Sequence, residues 1–149
     1  MSDHYQRLEQ IYLKAPYNIS LYDDTNIKIS AGRAEISTRV TPRHHHGAGA
    51  LHGSGYFRLL DDAAFFAVNS TITDAMVYTV SFTTQFLRPV QSGIITAIGE
   101  IKHSTSNLFI GESSLYNDKG QLIALGRGDF MKSRIDLNDI PGYFDVTER

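Results

Sequence analysis

The sequence predicts an α+β fold built round one long buried helix, and three observations predict it. Residues 44–67, HHHGAGALHGSGYFRLLDDAAFFA, run from a histidine- and glycine-rich loop straight into an apolar segment of helical period. Upstream, residues 27–40 alternate apolar and polar, as a hairpin with one face on a core does. Downstream lie at least three long stretches rich in β-branched and aromatic residues. A single long helix flanked by antiparallel strands has to bury itself against the sheet they form.

Each element follows in order. Tyr5, Leu8, Ile11, Tyr12 and Ala15 share one face of an amphipathic helix over 3–15, with Ser2 or Asp3 as N-cap. Pro16 stops it, and 17–25 read as loop. Ile27 and Ile29, a turn at Ala31-Gly32, then Ala34, Ile36, Thr38 and Val40 make the hairpin, closed by Pro42. The long helix runs from Ser54 to about Asn69. The later strands are 77–88, a stretch opening at Gly93, 107–116 and 121–132, with a turn at Asn117-Asp118-Lys119-Gly120. The tail, 133–149, carries no assignment: a short helix, an arm on a partner chain or a loose end all fit it. No repeat or linker divides the 149 residues, so one domain over 1–149 is expected.

Composition narrows the function classes. There is no cysteine, which excludes a thiol nucleophile and a cysteine-ligated metal. A net charge of −2 provides no basic field for nucleic acid or an anionic membrane. The N-terminus is polar, unlike a signal peptide, and no apolar run approaches the roughly 20 residues needed to span a bilayer. A soluble cytoplasmic protein is the expectation. Metal is not expected either: consecutive histidines 44–46 point in different directions, and no spaced carboxylate completes a ligand set.

The long helix carries two acids in apolar surroundings, Asp61 and Asp62. An acid there is costly unless paired or solvated in a cleft. The two side chains diverge by about 100°, so one is expected to be exposed and the other to face a cleft or interface. A solvated surface pair is the alternative.

His45-His46-Gly47-Ala48-Gly49-Ala50-Leu51-His52-Gly53-Ser54, followed by Leu59 and Asp61, resembles a signature of hotdog-fold acyl-CoA thioesterases of the phenylacetate-degradation (PaaI-like) type. That signature reads HN, two residues, G, two residues, HGG, four residues, then L-x-D. Phe86-Leu87-Arg88-Pro89-Val90 and the turn after Tyr116 fall in the family's order, and the resemblance covers about 26–132. Two positions depart from it: His46 replaces the asparagine, and Ser54 replaces the second glycine.

The resemblance implies hydrolysis of an acyl-CoA thioester within a homo-oligomer, a dimer or a tetramer, with coenzyme A entering only as part of the substrate and no cofactor. It makes Asp61 the general base or nucleophile, with His52 and His46 orienting water or thioester. Substrate contacts are expected at Thr79, Ser54, Phe57 and Arg88, and phosphate contacts at Arg88, Lys102 and Arg127. Gly53 opens the helix, where backbone N–H groups lack partners and the dipole is positive, so its N–H is the candidate oxyanion donor. Asp61 lies eight residues further on, about 12 Å along a helix rising 1.5 Å per residue. It cannot serve a carbonyl held at its own Gly53, which predicts a site shared between two copies. A hotdog protein that binds acyl thioesters without hydrolysing them is the second reading. A hydratase ranks lower, because the HFP-like loop with its histidine–acid pair is missing.

Overall fold

Apolar residues at three- and four-residue spacing give α1, Ser2–Lys14, in the computed structural model, which describes residues 2–22 and 24–144. Its buried side chains are His4, Leu8 and Tyr12. Ser2 and Asp3, expected as caps, lie inside its first turn. Pro16 does end this helix, but it also begins another, α2 (Pro16–Leu21), which corrects the loop expected over 17–25. Proline suits the first position of a helix, where its missing N–H has no partner to lose and its φ is already helical. Asn18 then ties the two helices, donating from Nδ2 to the Tyr12 carbonyl at 2.8 Å.

The hairpin forms as β1 (Asn26–Ser30) and β2 (Arg33–Val40), with Gly32 at φ +68 in its turn. Ala34, Ile36, Thr38 and Val40 all face inward, as their alternation requires. The long helix is α3, Gly53–Asn69. Four strands follow: β3 (Ala75–Phe86), β4 (Gly93–Ser104), β5 (Leu108–Tyr116) and β6 (Leu122–Asp136). They complete one antiparallel six-stranded sheet in the order β1-β2-β4-β5-β6-β3. The sheet wraps α3, burying Leu59, Leu60, Ala63, Ala67 and Val68. Gly99 on β4 sets how closely they approach: a Cβ there would lie 2.2 Å from the Ala63 carbonyl. Ser113 on β5 donates to the Leu60 carbonyl at 2.7 Å.

The last strand outruns the span expected for it, 121–132, because its partner β3 begins earlier and pairs Ala75 with Asp136. Part of the unassigned tail is therefore strand. The chain then makes a single 3-10 turn, Leu137–Asp139, and buries Leu137 and Tyr143 against its own body. The Tyr143 hydroxyl donates to His4 Nδ1 at 2.8 Å, and His4 Nε2 donates to the Asn69 carbonyl at 2.9 Å. Residues 145–149 of that tail lie outside the described residues.

Candidate active site

The histidine- and glycine-rich loop is a tight hairpin of its own. His46 N–H donates to the Ala50 carbonyl at 2.9 Å, His52 N–H to the His44 carbonyl at 2.9 Å, and Gly49 turns the chain at φ +84. The three consecutive histidines go three ways. His44 is buried, stacked on Tyr22, and donates from Nε2 to the Leu21 carbonyl at 2.6 Å. His45 donates from Nε2 to the Gln91 carbonyl at 2.7 Å. His46 is exposed, and its Nδ1 accepts the Ala48 N–H at 3.0 Å. Among the described residues no group of three or more histidines and acids is placed to hold a metal ion.

The loop delivers the chain to the start of α3 with one donor left over. His52 is the N-cap: its Nδ1 accepts the Ser54 N–H at 3.0 Å, and its carbonyl accepts the Gly55 N–H at 2.9 Å. The Gly53 N–H has no hydrogen-bond partner among the described residues. The ring that the motif makes catalytic thus supports the helix end, and an open amide sits at the positive end of the dipole.

One turn and more along α3, the chemistry changes. Ser54, Phe57, Arg58, Asp61, Asp62 and Phe65 face a cavity of about 460 Å³ between α3, β3 and the two N-terminal helices. Thr79 on β3 donates from Oγ1 to Asp61 Oδ1 at 2.8 Å. A β-bulge at Val80, between the pairs Thr79–Phe130 and Ser81–Asp129, re-aims the strand beside this contact. Burial pushes the Asp61 carboxyl above its ordinary value, and the Thr79 hydroxyl pulls it part of the way back. Asp62 accepts the Tyr12 hydroxyl at 2.8 Å and lies 3.8 Å from Arg58 Nε. Burial pushes its carboxyl up to about 7, against the pull of Tyr12 and Arg58. Neither acid is exposed, and both line the same cavity. This corrects the expectation that one of them faces water: α1 and α2, folded over the helix, cover the side on which Asp62 emerges.

Most of the residues singled out from sequence fall into two groups. Asp61, Thr79, Ser54 and Phe57 share the cavity just described. Gly53, His46 and Arg88 line a second cleft with Tyr56 and Phe86. Lys102 and Arg127 belong to neither. They lie on the outer face of the sheet, paired with Glu100 and Glu112.

Sequence reasoning missed Tyr12, Asn18 and Arg58. Arg58 is buried, with Nε and Nη2 on Asn18 Oδ1 at 3.2 and 2.7 Å and its guanidinium 3.7 Å from the Tyr22 ring centre. A signal was present: an arginine four residues before an acid, on an otherwise apolar helix, is a buried pair in waiting.

Comparison with known proteins adds four findings. A family model described as the thioesterase superfamily matches residues 48–124. A 1,4-dihydroxy-2-naphthoyl-CoA hydrolase of Listeria monocytogenes is 26% identical over 102 residues, covering 68% of this chain and 83% of that protein. Among solved structures, the PaaI protein of the E. coli phenylacetic acid degradation operon superposes with a TM-score of 0.81 at 23% identity, covering 91% of this chain and 96% of that one. A mutant thioesterase of Pseudomonas aeruginosa superposes with a TM-score of 0.75 at 20% identity, covering 87% of this chain and 94% of that one. Among the described residues no helix is long and apolar enough to cross a membrane.

Proposed function

The chain belongs to the thioesterase superfamily, has its hotdog fold and is a thioester hydrolase, and from that premise we propose that it cleaves acyl-CoA to free acid and coenzyme A at a site assembled from two copies of the chain. One observation carries this reading. The carboxylate and the open amide donor of one protomer line different clefts. Each cleft holds half of what thioester hydrolysis needs: a group to supply the nucleophile, and a donor for the developing oxyanion.

Asp61 acts as general base on water or as the nucleophile itself, held in one orientation by Thr79. Gly53 of the second copy donates its N–H to the thioester oxygen, and the absence of a side chain there lets the acyl group approach. Phe57, Ser54 and Phe65 line the acyl side. His46, at the mouth of the Gly53 cleft, orients water or the thioester, and Arg88 meets the coenzyme A moiety. His52 contributes through the helix end it caps.

A physical reason for pairing supports the two-copy site. β3 is an edge strand of 12 residues, bonded only to β6, with Tyr78, Val80 and Phe86 exposed. An apolar edge of this length is a template for another strand. A second β3 laid antiparallel along it brings the two α3 helices side by side in opposite directions.

The test is thiol release from a panel of acyl-CoAs. Wild type is expected to turn over at least one. Asp61→Asn is expected to lower kcat by about a hundred-fold or more with thermal unfolding unchanged. Tight binding with no thiol release from any acyl-CoA identifies a non-hydrolysing binder instead.

A further inference from the structure

The cavity that Asp61 lines has a second carboxyl in its wall, which the hydrolytic chemistry does not use. Asp62 emerges there between α3 and the two N-terminal helices, and its side chain is 24% exposed. Its two oxygens differ. Oδ2 accepts the Tyr12 hydroxyl at 2.8 Å and lies 3.8 Å from Arg58 Nε, so the plane of the carboxyl is held. Oδ1 has no hydrogen-bond partner among the described residues. Nor is it among their buried side-chain atoms that lack a partner, which are Arg7 Nε, Arg58 Nη1 and Thr84 Oγ1. Oδ1 therefore opens on free space, and the space that Asp62 lines is this cavity. Tyr12, Asn18 and Arg58 border the same end but are buried, so of these four it is Asp62 that a ligand can touch. Around it the wall is apolar, from Ile11, Phe65, Phe66 and Met76.

From this we infer that Asp62 selects the substrate, its Oδ1 accepting a hydrogen bond from a hydroxyl carried on the acyl chain away from the thioester. This rests on the acyl-CoA hydrolase reading and names which acyl groups that site takes. Asp61 and Asp62 leave α3 about 100° apart, so a group held at Asp62 stands to one side of a carbonyl presented to Asp61, and one acyl chain serves both. A plain alkyl chain that fills the cavity strips water from Oδ1 and returns nothing. A terminal carboxylate meets like charge from both acids. An ammonium pairs with the acid but sheds its own water against an apolar wall. A hydroxyl replaces the lost water bond at a smaller desolvation cost than the ammonium. The N-terminal helix belongs to this device, since Tyr12 on α1 holds Oδ2 and so leaves Oδ1 to the substrate.

Thioesters of matched length read the inference: hexanoyl-CoA, ω-hydroxyhexanoyl-CoA, a hexanoyl-CoA with a ketone near its end, ω-aminohexanoyl-CoA and adipoyl-CoA. The assay is run well above the value of about 7 to which burial pushes the Asp62 carboxyl, so that the acid is ionised. Wild type is expected to favour the hydroxylated substrate over hexanoyl-CoA by about ten- to a hundred-fold in kcat/KM, the range of a hydrogen bond to a charged group. Asp62→Asn keeps the shape, but Tyr12 holds the amide oxygen and the NH2 turns to the cavity. That variant is expected to bring the hydroxyl ratio to within about threefold and to raise the ketone substrate above hexanoyl-CoA. Asp62→Leu, apolar and similar in size, is expected to bring the hydroxyl ratio to about one. A merely structural role for Asp62 would lower every substrate alike and leave the ratios in place. A hydroxyl ratio unchanged in Asp62→Asn, a wild type that prefers hexanoyl-CoA, or ω-aminohexanoyl-CoA or adipoyl-CoA as the best substrate overturns the inference. If Asp62→Leu fails to fold, Asp62→Asn decides. Calorimetry with thioether analogues of the same acyl groups measures the affinity ratio without turnover. No thiol release from any thioester therefore defeats the hydrolase reading alone, whereas equal affinities for the hydroxylated and plain analogues defeat the role of Asp62 alone.

Discussion

The role proposed for Asp61 asks one carboxyl to be both buried and ionised. Burial raises its pKa and the Thr79 hydroxyl restrains the rise, so the charged form is depleted at a higher pH than for a free aspartate. As the proposed general base or nucleophile it works only when ionised, and kcat/KM is therefore expected to fall as pH drops through that raised value. A pH–rate profile flat down to the ordinary value of 3.8 contradicts the assignment. Asp62 beside it carries a stability cost. Its folded pKa of about 7 lies above the free value of 3.8, so across that window the folded chain retains a proton the unfolded chain has lost. Stability from this residue falls as pH rises from about 4 to about 7, by on the order of 2–3 kcal/mol once partial wetting is allowed for. Asp62→Asn removes the titration. Its urea midpoint relative to wild type is expected to climb over the same window, and a constant difference contradicts the linkage. That two adjacent acids occupy one apolar helix was legible in the sequence. That both face one cavity was not, because the cover over Asp62 comes from α1 and α2, far away along the chain.

Among the elements, α3 and β4 are held at a distance only glycine permits. The Cβ of an alanine at position 99 would meet Ala63 backbone at 2.2 Å, and neither a helix backbone nor a central strand yields easily. Gly99→Ala is expected to destabilise the protein by about 2–3 kcal/mol, read from denaturant unfolding. An effect below half a kcal/mol would mean that helix and sheet part freely. Ala63, Ala64 and Ala67 are small enough to let a backbone come close, but their spacing does not say which strand does so. The strands themselves were legible from alternation and from the glycine and asparagine turns. What escaped were features set by neighbours: the second helix at Pro16, the Val80 bulge and the extension of β6 to Asp136. A proline can end one helix or begin another with equal local sense, and a bulge leaves no mark in a strand's composition.

For the whole molecule the question is how the two proposed half-sites meet. Gly53→Pro removes the proposed donor and is tolerated by the fold, because proline suits the first helical position and His52 already has the extended backbone a following proline demands, φ −61 and ψ 144. Gly53→Pro and Asp61→Asn are each expected to be inactive. Mixed dimers contain one site with both defects and one with neither, so activity is expected to return to about half of wild type per mixed dimer. No recovery in verified mixed dimers refutes sharing, as does a fully active monomer by sedimentation. The sequence by itself determined the helix with its preceding loop, the strand order along the chain, and the placing of Asp61 and Gly53 eight residues apart on one helix. These follow from period and spacing, which are local. Only the tertiary structure decided that Asp61 is met by Thr79, that His52 is taken up in capping, that the donor and the acid open on different clefts, and that Arg58 lies buried with a nitrogen to spare. Each of these depends on which distant segment packs over a residue, and packing of that kind is fixed by the assembled core rather than by any stretch of chain.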